Sequence, residues 1–144
     1  MTRADAEVFL GRRYLAKGFV EDAMRVFLQH PDSVATEDWQ RLRDGLLERG
    51  RITDAVSVCR LGKIPVPQQQ LLELGDEYLR RGEIDRAIDI YDLVEADRDR
   101  WERVVDRLIE YPDRQQQARS IATRYLDTPR PQEAPTSPPL KTTT

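Results

Sequence analysis

One nine-residue phrase recurs three times at a fixed interval, and no other feature restricts the fold as much. It reads Leu15-Ala-Lys-Gly-Phe-Val-Glu-Asp-Ala23, then Leu47-Glu-Arg-Gly-Arg-Ile-Thr-Asp-Ala55, then Leu79-Arg-Arg-Gly-Glu-Ile-Asp-Arg-Ala87. Gly18, Gly50 and Gly82 stand 32 residues apart (50 − 18 and 82 − 50), as do Ala23, Ala55 and Ala87. A period of this size marks a stacked-repeat architecture, in which each unit buries its apolar face against a neighbour.

Each copy reads as two helices. In the first helix, apolar residues recur three and four apart: Leu10, Tyr14 and Leu15, then Trp39, Leu42, Leu46 and Leu47, then Leu71, Leu74, Tyr78 and Leu79. This is an amphipathic stripe. The glycine follows directly. It suits the left-handed residue that ends a helix, so the turns are placed at Gly18, Gly50 and Gly82. The second helix carries Val20, Ala23, Met24, Phe27 and Leu28 in copy one, Ile52, Ala55, Val56 and Cys59 in copy two, and Ile84, Ala87, Ile88 and Tyr91 in copy three. The alanine is small enough for the paired helices to lie close. Pro31 and the Pro65-Val-Pro67 segment separate the copies, with Pro67 placed to open a helix.

A fourth, degenerate unit has stripes Trp101, Val104, Val105, Leu108, Ile109 and Ala118, Ile121, Ala122, Tyr125, Leu126, with Tyr111-Pro-Asp113 as its turn. The expectation is one all-α domain over 1–126, with repeats at about 4–31, 36–62, 68–95 and 98–126. From Asp127 the composition turns to Pro and Thr, and 127–144 reads as a disordered tail.

These residues resemble the tetratricopeptide repeat. Leu74, Gly75, Tyr78, Gly82, Ala87 and Tyr91 of the third copy match that consensus, as do Leu10, Gly11, Tyr14, Gly18, Ala23 and Phe27 of the first. The second matches through Trp39, Leu42, Gly50 and Ala55, but departs with Arg43 for a small residue and Cys59 for an aromatic. The resemblance implies a right-handed helical-hairpin solenoid of about eight helices. It also implies an adaptor that binds a peptide or partner domain in a concave groove. The groove positions would be Val8, Arg12 and Leu15, then Gln40, Asp44 and Leu47, then Leu72, Asp76 and Leu79. The lysine and asparagine clamp of one subclass, which grips a C-terminal carboxylate, is absent: Arg12, Asp44 and Asp76 stand there.

Composition narrows the ligand class. Net charge is −3 and the pI about 5.3, which speaks against free nucleic acid, because neutralising phosphates needs a basic excess. No run approaches the roughly 20 apolar residues of a membrane helix. The one cysteine, Cys59, lies on an apolar stripe and reads as a buried thiol. The one histidine, His30, sits at a helix end, where it would face the negative end of the dipole. No nucleophile–base set, metal spacing or phosphate loop is present, so neither enzyme activity nor a cofactor or metal is expected. A cytoplasmic protein–protein interaction module follows, with a protein or peptide as partner. The alternative is self-assembly through the open ends of the stack, by Trp101 or the Glu7–Tyr14 face. The interleaved charges, such as Arg86 with Asp89 and Asp99 with Arg103, read as exposed ion pairs.

Overall fold

A computed structural model describes residues 2–127. Among them are eight α-helices and two 3₁₀ turns. The helices are α1 (Arg3–Ala16), α2 (Val20–Gln29), α3 (Thr36–Glu48), α4 (Ile52–Gly62), α5 (Gln68–Arg80), α6 (Ile84–Leu93), α7 (Arg98–Leu108) and α8 (Gln115–Leu126). Consecutive helices pack as hairpins: α1 with α2, α3 with α4, α5 with α6, α7 with α8. The fold is therefore all-α and built of helical hairpins. The helix bounds follow the expected repeats closely. The proposed disordered tail lies outside the described residues, Asp127 excepted.

Where the repeat suggests one continuous domain, the chain divides into two compact units at Pro67. The break coincides with Pro65-Val-Pro67, whose prolines cannot extend either neighbouring helix. The first unit holds α1–α4 and the second α5–α8.

The phrase is a helix-ending device. In each copy the glycine has a positive φ, 85° at Gly18, 75° at Gly50 and 85° at Gly82. Its N–H donates to the carbonyl three residues back, and the next N–H to the carbonyl five back. The pairs are Gly18 to Leu15 at 3.0 Å and Phe19 to Tyr14 at 2.8 Å in the first copy. They recur as Gly50 to Leu47 and Arg51 to Leu46, and as Gly82 to Leu79 and Glu83 to Tyr78. Each is a Schellman cap. The α7–α8 hairpin has no glycine and turns through a 3₁₀ segment, Pro112–Arg114.

Two further caps use the wrong residue. Lys63 after α4 and Glu95 after α6 sit at φ 55° and 54°. The same bonding surrounds them: Ile64 donates to Cys59 at 2.9 Å and Ala96 to Tyr91 at 2.9 Å. A side chain in the left-handed region costs roughly 1 kcal/mol. Both residues are exposed. Lys63→Gly should therefore raise the thermal midpoint of the first unit by about 4 °C, read by circular dichroism; an unchanged midpoint would refute the strain.

Hairpin closeness comes from glycine–aromatic contacts. A Cβ built on Gly11 would lie 2.3 Å from the Phe27 ring, and one on Gly75 2.6 Å from the Tyr91 ring. The alanines of the phrase are fully buried beside them, Ala23 and Ala87 at 0% and Ala55 at 1% exposure. In the second hairpin both positions differ from the other copies: Arg43 stands where they have glycine, and the buried Cys59 where they have an aromatic. Trp39 packs instead over Gly62, whose Cβ would meet the indole at 2.5 Å.

Candidate functional site

The first unit has a groove of ≈ 460 Å³ between α1 and α3. Arg12, Leu15 and Ala16 line one wall, and Asp38, Arg41, Asp44 and Glu48 the other, with Gly18, Val20 and Gly45 beneath. Its floor forms where α2 begins. A Cβ on Gly45 would meet Val20 at 3.1 Å, so the glycine lets that side chain sit close to α3. Arg12 donates from Nε to Asp38 at 2.8 Å, and Asp38 is buried to 3% exposure. A carboxylate taken out of water needs such a partner. Asp44 accepts from its neighbour Arg43 at 2.9 Å. Among the groove's other charges, Arg41 and Glu48 are exposed.

The second unit has its own groove of ≈ 360 Å³ between α5 and α7, lined by Asp76, Leu79, Arg80, Tyr91, Arg103, Asp106 and Arg107. Asp76 is tied down. Arg100 grips it with two bonds of 2.9 Å, Nε to Oδ1 and Nη2 to Oδ2, and the Tyr91 hydroxyl donates to Oδ1 at 2.5 Å. Burial alone would raise the Asp76 carboxyl, but the hydrogen bonds from Arg100 and Tyr91 outweigh it and hold the group below its ordinary value of 3.8. Burial, and then the bond to Asp76, push the Tyr91 hydroxyl up. Asp97, the N-cap of α7, is also raised by burial and lowered further by Arg100 and its own backbone bond, ending low.

The sign of the acid response follows. A carboxyl that is more acidic when folded binds fewer protons than in the unfolded chain, so stability rises with pH across that range. The contribution of Asp76 and Asp97 is complete above the ordinary value of 3.8 and disappears as pH falls through their folded values. Acid titration of unfolding should show the second unit weakening below about pH 4, and Asp76→Asn should flatten that slope; an identical slope in the variant would contradict the bidentate pair.

The nine groove positions expected from the resemblance do not share one fate. Val8, Leu72 and Leu79 are buried at 2%, 8% and 6% exposure. They are largely covered within their own units, though Leu79 also lines the second groove. Leu15, Gln40, Leu47 and Asp76 are half-buried, and Leu15 and Leu47 also pack against the first unit's core. Arg12, Leu15 and Asp44 do come together in one groove. Asp76 and Leu79 line the second groove, where Asp76 is engaged by Arg100 and Tyr91.

Trp101 is the clearest correction. It is 2% exposed, stacked on Tyr125 at 3.7 Å and 4°, and edge-on to Tyr91 at 5.8 Å. No open end can stack through it. Cys59 is fully buried, and burial pushes its thiol up, as a core residue requires. Among the ion pairs, Arg86 reaches Glu83 at 3.5 Å, and Arg103 lies 4.0 Å from Asp76. His30 caps α2 through its backbone N–H, which donates to Phe27 at 3.1 Å.

Asp38, Arg41, Glu48 and Arg100 were not singled out from the sequence. The available signal was a charged residue directly before each tryptophan, Asp38-Trp39 and Arg100-Trp101. Among the described residues, no group of three or more His, Cys, Asp or Glu could hold a metal ion, and no helix is long and apolar enough to cross a membrane. No protein-family model matches the chain, and neither does any curated protein or solved structure.

Proposed function

We propose that the chain is a protein-interaction module of tetratricopeptide kind, its hairpins wound right-handed, that docks a peptide or partner domain in the α1–α3 groove. The observation that carries this reading is the groove itself. It is ≈ 460 Å³, walled by two first-of-pair helices, and it offers half-buried Leu15 beside the exposed Arg41, Asp44 and Glu48. Apolar centre with charged rim is the anatomy of a recognition surface. The cytoplasm is the compartment proposed for it, in keeping with the single thiol.

Leu47 and Leu79 are poor targets for the test, because charge on the buried Leu79 would damage the core. Ala16 and Glu48 line the groove and are exposed. Ala16→Arg with Glu48→Arg should therefore abolish capture of the partner while helicity stays unchanged. The measurement is quantitative affinity purification with the wild-type and variant chains as paired baits. A partner set identical for both baits would defeat the reading.

A further inference from the structure

The two units repeat one local frame with its charges inverted. In the first, Gly11-Arg12 on α1 faces Asp38-Trp39 on α3. In the second, Gly75-Asp76 on α5 faces Arg100-Trp101 on α7. The surroundings correspond. Gly11 touches Phe27 as Gly75 touches Tyr91. Phe27 meets Trp39 edge-on at 6.1 Å and 70°, as Tyr91 meets Trp101 at 5.8 Å and 75°. The bridges are 2.8 and 2.9 Å long. The sign is exchanged, cation on the first hairpin and anion on the second in one unit and the reverse in the other, and the second bridge adds a bond from the Tyr91 hydroxyl that Phe27 has no group to make.

We propose that this inversion is a pairing code, which directs each hairpin to the partner within its own unit and bars exchange of hairpins between units, in one chain or between two copies. A repeated frame invites such exchange. The aromatic and glycine contacts are shared, and misassembly or swapping is the usual failure of repetitive chains. The charges forbid it. Seating the α1–α2 hairpin on the α7–α8 hairpin brings Arg12 against Arg100. Seating the α5–α6 hairpin on the α3–α4 hairpin brings Asp76 against Asp38. The Asp38 side chain is 4% exposed and the Arg100 side chain 17%, so one member of each like-charge contact is largely withdrawn from water, against 46% for Arg12 and 29% for Asp76. Charges at equivalent positions choose partners in this way wherever similar helices compete.

A bridge that merely stabilises its own unit makes a different forecast. The variant R12D/D38R keeps a bridge in the first unit but gives it the second unit's code. The full chain is refolded from denaturant over a concentration series, and dimer is counted by size exclusion with light scattering. Exchange should rise roughly tenfold in dimer fraction. The quadruple variant R12D/D38R/D76R/R100D inverts both codes, keeps them distinct, and should return to the wild-type fraction. Wild-type behaviour of R12D/D38R, or a quadruple variant as dimeric as the double, overturns the proposal. If circular dichroism shows that the first unit rejects the reversed pair, D76R/R100D creates the same equivalence from the other side. Rejection by both units also overturns it, because the frames would then differ by more than charge.

Discussion

Trp101→Ala is expected to bring the second unit close to unfolding. The indole is 2% exposed and lies between two rings, stacked on Tyr125 and edge-on to Tyr91. Removing a buried tryptophan costs about 3–5 kcal/mol, through lost transfer energy and the cavity left behind. That is a large share of a small domain's stability, typically about 5–15 kcal/mol. The hydroxyl of Tyr125 adds to the loss. Burial and its bond to Asp92 push that group up to about 12, so the ring is held from both ends. Without the indole, one of those holds is gone. Trp39 is then the remaining tryptophan and reports the first unit. The expected signature is a fall in helical circular dichroism with native Trp39 emission. A variant with wild-type helicity and midpoint would show that the stack carries little energy.

Gly75→Val is the second large loss. Its Cβ would lie 2.6 Å from Cε1 and 3.0 Å from Cδ1 of Tyr91. The ring has little freedom to move aside. Its hydroxyl is bonded to Asp76, and its edge packs on Trp101. Overpacking of this kind costs about 3 kcal/mol, at the upper end of its usual range. The double variant Gly75→Val with Tyr91→Leu should recover part of it, because the smaller side chain opens the space. Chemical denaturation of the two variants gives the comparison. A double variant less stable than the single would rule out steric conflict as the cause.

The hairpin was legible because its signals are local. Gly18, Gly50 and Gly82 end helices by a backbone requirement that needs no tertiary context. The alanines report a close approach that any hairpin of this spacing makes. The site was legible only in outline. Arg12, Leu15 and Asp44 do meet, since the spacing of one helix face fixes which residues point together. Burial was not legible. Val8, Leu72 and Leu79 share the same face as exposed groove residues, and whether a neighbour covers them depends on packing that no single helix encodes. Asp38 and Arg100 were missed for a related reason. A charge before a tryptophan looks like solvent-facing surface until a partner 24 or 26 residues away is placed against it.

The caps at Gly18 and Gly50 carry one more consequence. A Cβ at either glycine would meet nothing within 4 Å. Smallness is therefore irrelevant there, unlike at Gly11 or Gly75. The turn asks for a positive φ, which L-residues adopt only at a cost, as Lys63 and Glu95 do, and which achiral glycine adopts freely. A D-alanine would satisfy the positive φ and narrow the freedom of the unfolded chain, which is the term glycine leaves largest. Glycine recurs at these turns as the achiral compromise available to a translated chain.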